Sequence, residues 1–304
     1  MSHFRFLHFL LPAACALLAA VAPAQTIERI ARLDGFQEVP VVVTPARGLA
    51  FVAIDTSANT LTYRIVFGGL SSAETVAHIH GFAPAGSNAG VLNALPLGSP
   101  KCGVWTMTAA QQANVLADLS YVNIHSVINP GGEIRGQIDI APDQPTFCYG
   151  DGTGTACPCG NFSAVGDDEG CLHSGGVGAR LRGYAGPAPS PSLSSDRLVL
   201  HVLRAPPNTP ILFFQGTLAI AGGAGSVFGD GLRCVGGNTR RLAIKQGCGG
   251  QVGLPEPGDL PISISGGIGT PSTMNYQAWY RNPPAFCTAS TFNLTNGVRV
   301  NWVP

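Results

Sequence analysis

The stretch Tyr121–Ile138, YVNIHSVINPGGEIRGQI, reads as a strand, a tight turn and a returning strand. Apolar and polar residues alternate on both sides of Asn129-Pro130-Gly131-Gly132. Proline at the second turn position and glycine at the third predict a type II turn, since proline fixes φ and glycine tolerates a positive one. A four-residue loop then pairs Ile128 with Glu133, His125 with Gly136 and Asn123 with Ile138. That register sets His125 on the apolar side with Ile134, Gly136, Ile138 and Ile140, where the missing side chain of Gly136 leaves room for a ring. A one-residue change in loop length would reverse every assignment, because side chains alternate between faces.

A second stretch, AHIHG at Ala77–Gly81, places two histidines one residue apart. On a strand both rings share a face. Upstream, Gly48–Asp55 and the alternation of Leu61, Tyr63, Ile65 and Phe67 predict two strands joined by a turn at Ser57-Ala58-Asn59. One helix is expected over Thr108–Leu119. Thr108 and Gln111 form a capping box, and Val115, Leu116 and Leu119 give it an apolar side.

The chain has 304 residues, with 40 glycines, 24 prolines and only 11% charged side chains. Such a composition points to many short strands and tight turns rather than helices. Seventeen basic residues balance seventeen acidic ones, which leaves no electrostatic footprint for nucleic acid or an anionic membrane. Residues 1–24 hold one formal charge, Arg5, an apolar run from Phe6 to Val21, and Ala22-Pro23-Ala24 at the end. This is the layout of a secretory signal peptide cleaved between Ala24 and Gln25, with no membrane span after cleavage. The expected destination is secreted or cell-surface. Loss of Cys15 with the signal leaves Cys102, Cys148, Cys157, Cys159, Cys171, Cys234, Cys248 and Cys287. An even number in an exported chain reads as disulfides.

Composition changes at residues 141–146, a proline-bearing linker between a first domain at 25–140 and a second at 147–304. Seven of the eight remaining cysteines lie in the second. One of those seven is therefore expected to bridge to Cys102 or to stay free, with Cys248 the choice. In Cys157-Pro158-Cys159 a single residue separates the sulfurs, so each is expected to bond elsewhere. Strands are expected at Gly178–Tyr184, Asp196–Arg204, Pro210–Ile220, Thr239–Gln246, Pro261–Ser265, Met274–Arg281 and Val298–Val303, with a proline-rich loop at Pro187–Pro191. The fold class is all-β: a β-sandwich with one short helix, then a disulfide-bonded sandwich or jelly-roll-like module.

Residues from Ile30 to about Ile140 resemble the chordin-type (CHRD) domain. The resemblance rests on LDGFQEVP (Leu33–Pro40), LTYRIVFGGL (Leu61–Leu70), AHIHG, GVWTMT (Gly103–Thr108), YVNIH and NPGGEIRGQI, in the family's order. Val41 stands where a second proline is expected, and Cys102 is outside the pattern. The resemblance implies a β-sandwich that serves as an extracellular, non-catalytic binding or structural module, its partner a protein or cell-surface component. The second domain resembles a C-terminal module found behind varied domains of bacterial exported proteins. That likeness rests on FCYGDGTGTACPCGN (Phe147–Asn161), FFQG (Phe213–Gly216), FGDGLRCVGG (Phe228–Gly237), YQAWYRN (Tyr276–Asn282) and NLTNGVRVNWVP. Reuse behind unrelated partners suggests surface attachment or sorting.

His78, His80 and His125 have three competing readings. They are packed structural residues, or ligands of copper or zinc, or a catalytic copper site like that of the copper-zinc superoxide dismutases, whose other ligand motifs are absent. Asn123 and Glu133 are nearby candidates for a fourth ligand. The segments Gly150–Thr155 and Gly166–Gly170 resemble calcium loops only faintly, lacking EF-hand spacing, and read better as solvated turns. Tyr276, Trp279 and Tyr280 could stack on a sugar, although alternation sends at least one into the core. No nucleophile–base pair, phosphate loop or HExxH motif is present. The expectation is a non-enzymatic, secreted binding or structural protein without a cofactor, the alternative being a histidine-coordinated copper or zinc protein.

Overall fold

Period-two alternation builds the N-terminal domain directly. The computed structural model describes residues 26–140, 142–186, 190–283 and 285–304. The expected signal peptide, the expected cleavage site and most of the Pro187–Pro191 loop lie outside them. Strands β1 (Thr26–Leu33), β2 (Arg47–Asp55), β3 (Thr60–Gly68), β4 (Glu74–Gly81), β5 (Val91–Leu95) and β6 (Lys101–Thr106) precede helix α1 (Ala109–Leu116). The hairpin β7 (Ser120–Ser126) and β8 (Ile134–Gln137) follows it. One antiparallel sheet has the order β1-β2-β3-β6 and the other β5-β4-β7-β8. Between them pack Ala50, Val52 and Ile54 of β2, Leu61, Tyr63 and Ile65 of β3, Ala77 and Ile79 of β4, and Val122 and Ile124 of β7. This is the expected sandwich. The helix starts where the capping box put it: Thr108 Oγ1 accepts the Gln111 N–H at 3.2 Å, and Gln111 Oε1 accepts the Thr108 N–H at 2.8 Å. It ends before Leu119, as Asp118 turns to φ 59°.

The hairpin differs from its sequence reading. Tyr121 pairs with Gln137, Val122 with Gly136, Asn123 with Arg135 and Ile124 with Ile134. The offset from the expected register is an odd number of residues, so His125 leaves the apolar side for the outer face. Two causes are visible. Val127 and Ile128 abandon the ladder, their N–H groups donating to Ala73 C=O (3.0 Å) and Ser72 Oγ (2.9 Å). The turn closes from Gly132 N–H to Asn129 C=O at 3.1 Å, with positive φ at Gly132 (132°) and not at Gly131, so it is not type II. Gly136 serves a different neighbour than the expected ring. A Cβ there would press within 2.7 Å of Arg32 C=O, where β1 crosses β8.

Within the segment expected as a linker, residues 143–146 pair with the second unit. Gln144 N–H donates to Gly183 C=O at 2.8 Å, and Thr146 pairs with Val298. A three-stranded sheet (Arg180–Tyr184, Val199–Leu203, Val252–Leu254) faces a larger one. The larger runs, in spatial order, through Arg240–Gln246, Pro210–Gly216, Ser272–Arg281, Gly297–Trp302 and Thr146–Phe147. Leu181, Leu200, Val202, Ile211, Phe213, Tyr276, Tyr280 and Val298 fill the space between. Pro261–Ser265, expected as a strand, is instead the start of a short helix, Ile262–Gly266. Asp196 Oδ2 accepts the Ser263 N–H at 2.7 Å at its beginning, and Gly267 at φ 66° stops it.

Disulfides add a third layer behind the larger sheet. Cys148 joins Cys234, Cys157 joins Cys171 and Cys159 joins Cys287, so the two cysteines of the Cys-Pro-Cys run do bond elsewhere. Cys148, Cys157, Cys171 and Cys234 pack with Phe214, Leu232, Val235 and Leu294. The fourth bridge, Cys102–Cys248, ties the two domains. The outer face of the β1-β2-β3-β6 sheet meets the three-stranded sheet, burying Ile30, Leu49, Phe51, Val66, Tyr184 and Val199 together. The Phe51 ring stacks on His201 at 4.1 Å, and Arg64 donates twice to Glu256 Oε1, at 3.0 and 2.6 Å.

Candidate metal centre

With one sheet facing the second domain, the outer face of β5-β4-β7-β8 is left to its loops. In β4, Ala77 and Ile79 point into the core, so alternation sends His78 and His80 outward. In β7, Val122 and Ile124 point inward, and Tyr121, Asn123 and His125 share the outer face. Pairing sets His78 opposite Asn123, His80 opposite Tyr121 and His125 opposite Val76. The three rings meet there. Their centroids lie 5.3 Å apart for His78–His80, 5.3 Å for His78–His125 and 6.1 Å for His80–His125. One ring nitrogen from each falls within 4.8 Å of the other two.

Backbone carbonyls decide which nitrogens these are. His80 Nδ1 lies 3.0 Å from Ala89 C=O, and His125 Nδ1 lies 3.0 Å from Pro130 C=O. A carbonyl oxygen only accepts, so each Nδ1 carries the hydrogen and each Nε2 holds a free lone pair. His80 Nε2, His125 Nε2 and His78 Nδ1 are all buried atoms without a hydrogen-bond partner. Three orphaned buried ring nitrogens in one cluster are a costly arrangement unless a cation satisfies them. Burial, with His125 alongside, pushes the His78 pKa below the ordinary imidazole value. Burial does the same to His80 against the bond to Ala89. Both rings therefore favour the neutral form that ligates metal.

The surroundings hold the rings in place. His80 stacks on Tyr121, centroids 5.0 Å apart and 6° from parallel, and the Arg135 guanidinium covers Tyr121 at 3.5 Å. Tyr121 Oη accepts the Ala89 N–H at 2.9 Å, so the loop that orients His80 is anchored to the same ring. Arg135 donates to Ser87 C=O at 2.9 Å, fastening that loop from its other end. His80 is 9% exposed and His125 8%. His78 is only partly buried and forms the solvent-side lip.

A tetrahedral ion bound at about 2.0–2.1 Å keeps its ligand nitrogens roughly 3.4 Å apart. The separations here reach up to 4.8 Å, so binding draws the rings inward. Glu133, weighed as a fourth ligand, is otherwise occupied. It accepts from Thr44 (2.7 Å), Ser126 (2.5 Å) and both the N–H and hydroxyl of Ser71 (2.7 and 2.9 Å). Asn123 keeps an unpartnered Oδ1 on the site's face, and its Nδ2 donates to Glu38 Oε2 at 3.4 Å. Burial pushes the Glu38 carboxyl up to about 7. Sequence reading gave no role to Glu38, Tyr121 or Arg135. For Arg135 the signal was present: a charged residue inside a strand that the pattern marks as buried.

Residues 30–138 match the family model of the CHRD domain. The N-terminal stretch is thus similar to the CHRD domain. The match spans all eight strands' sandwich except its first few residues and contains all three histidines. No curated protein and no solved structure matches the chain. In the C-terminal domain the faint calcium segments are tied up internally. Asp151 Oδ1 accepts from the Thr153 N–H and hydroxyl (2.9 and 2.6 Å), Asp168 pairs with Arg182 at 3.3 Å, and Glu169 pairs with Arg204. Tyr276 and Tyr280 are core residues, whereas Trp279 faces outward. Among the described residues, no helix is long and apolar enough to cross a membrane.

Proposed function

We propose that the protein is an exported, non-enzymatic binding protein whose CHRD domain holds one copper or zinc ion through His78 Nδ1, His80 Nε2 and His125 Nε2. The observation that carries the reading is that one ring nitrogen of each histidine lies within 4.8 Å of the other two, in a cluster where each ring also has a buried nitrogen without a hydrogen-bond partner. A set of neutral imidazoles without thiolate suits these two metals, and copper(II) stands highest in the divalent affinity order. Carbonyls of Ala89 and Pro130 supply the outer hydrogen bonds that fix tautomer and ring angle, the usual arrangement around metal-bound histidine. Four disulfides support an oxidising, extracellular destination. The resemblance of the second domain to a reused C-terminal module supports attachment at the cell surface.

The test is metal analysis of protein purified from the exported fraction, dialysed against excess copper or zinc and then against buffer. The parent is expected to retain one ion per chain and H78A/H80A/H125A none. An equal metal content in the two proteins would overturn the reading and leave the histidines a structural role.

A further inference from the structure

A groove in the C-terminal domain is lined by none of the three histidines. It lies on the outer face of the larger C-terminal sheet, holds about 690 Å³, and is walled by the Ser226–Phe228 and Gly231–Arg233 hairpin. Strand alternation makes its floor apolar. Ile211 and Phe213 enter the core, so Leu212 and Phe214 face the groove, with Trp279 and Ile244 paired to Leu212 from the flanking strands. Ile244 is 68% exposed at the groove's edge.

Charge says what the occupant is. Arg233, Arg240, Arg241 and Arg281 line the groove and no acidic residue does. Among the described residues none of these four has a salt-bridge partner. This contrasts with Arg64, Arg180, Arg182 and Arg204, each paired to a carboxylate. Two of the four are pre-aimed. Arg281 rests over the Trp279 ring at 5.0 Å and donates to Thr291 Oγ1 at 3.2 Å. Arg233 lies 6.0 Å over Phe228 and donates from Nε to Val235 C=O at 3.1 Å. A guanidinium held by an aromatic face keeps its remaining N–H groups directed outward, where they match a carboxylate in a bidentate fork.

We propose that this groove binds an acidic polysaccharide of the uronic-acid class. The aliphatic and aromatic floor receives the C–H faces of the sugar rings, and Arg233, Arg241 and Arg281 take the carboxylates along the chain, with Arg240 at the rim beside Gly267. An acidic peptide fits less well. The neighbouring sheet edge, Arg240–Gln246, is bulged opposite Phe213 and Phe214 and carries Arg240, Arg241 and Lys245, which blunts strand addition. Nucleic acid fits less well too, since a chain of zero net charge offers four cations in one groove and no extended track for a phosphate backbone.

The experiment is calorimetric titration of the full chain with polygalacturonate, beside dextran, polyglutamate and single-stranded DNA. Arg240 and Arg241 are exposed, so R240E/R241E should fold, and its melting temperature is checked against the parent's. R281Q serves as a second, milder variant. The inference requires that polygalacturonate binds, that either variant weakens it about tenfold or more, and that about 0.5 M salt does likewise. It also requires dextran, polyglutamate and DNA to bind at least about tenfold more weakly than polygalacturonate. Absence of polygalacturonate binding, binding untouched by both variants, or equal binding of polyglutamate or DNA would overturn it. The outcome is independent of the metal at the histidines, which the groove does not touch.

Discussion

At Glu133 a fully buried carboxylate sits among three hydroxyls and an amide, and the balance of forces there can be read from its titration. Burial alone would push its pKa up, but the bonds from Ser126, Thr44 and Ser71 hold it down to about 2. A carboxyl depressed in the folded state contributes stability that is present above its unfolded value near 4.5 and lost as pH falls toward 2. Glu133→Gln should therefore destabilise the protein at pH 7 by ~1.5–3 kcal/mol, through charge-assisted hydrogen bonds lost. The gap should close near pH 2, as urea unfolding at the two pH values would show. The histidines have the opposite chemistry. With the His78 and His80 values lowered by burial, metal affinity should persist at pH 6.5 and weaken only as the pH falls further, by competition titration. Affinity already lost at pH 6.5 would mean that the rings are not desolvated as described.

At the scale of the element, the hairpin was legible and its register was not. Alternation located β7 and β8, and the capping box located α1. The parity of the hairpin depended on Val127 and Ile128 leaving the ladder for Ala73 and Ser72, partners more than fifty residues away in sequence that no local pattern reveals. This moved His125 from the core face to the outer face, while loops covering that face still left it buried. The Ile262–Gly266 helix was hidden for the same reason. Its β-branched residues read as strand, and its cap comes from distant Asp196. Gly132 is the hinge of the arrangement. Its φ is 132°, and a Cβ would fall 2.6 Å from the Asn123 amide and 2.7 Å from Glu38 Oε1. Gly132→Ala should cost roughly 1–3 kcal/mol and weaken metal binding by displacing Pro130, whose carbonyl orients His125. A variant with unchanged stability in denaturant unfolding would refute that role.

At the scale of the whole molecule, the sequence divided the chain into two domains, and the structure joins them. Every outer face of the two N-terminal sheets is used: one against the second domain, the other for the histidines. The joint was partly legible, because an odd count of seven cysteines left one to bridge outward or stay free. Phe51, Arg64 and His201 gave no such signal, since burial between domains looks in sequence like burial within one. A Cβ on Gly253 would collide with the Phe51 ring, so the glycine admits the stack on His201. Burial pushes His201 down to about 3. Its neutral form is therefore required in the fold, and stability should fall as pH drops from about 6.5, where the unfolded chain takes up the proton, toward 3. His201→Phe should flatten that part of the pH profile in thermal melts. Cys102→Ser with Cys248→Ser should cost about 2–4 kcal/mol and turn one melting transition into two, as the domains lose their covalent tie. A single transition at the parent's temperature would show that the bridge adds nothing to the docked face.

The central claim is that three imidazoles from two neighbouring strands share one ion, and X-ray absorption at the metal edge of the copper- or zinc-loaded chain tests it most directly. The predicted spectrum has a first shell of nitrogen and oxygen at about 2.0–2.1 Å, outer-shell scattering from three imidazole rings, and no sulfur near about 2.3 Å. Scattering from fewer than two rings, or a sulfur shell, would place the metal elsewhere and contradict the account.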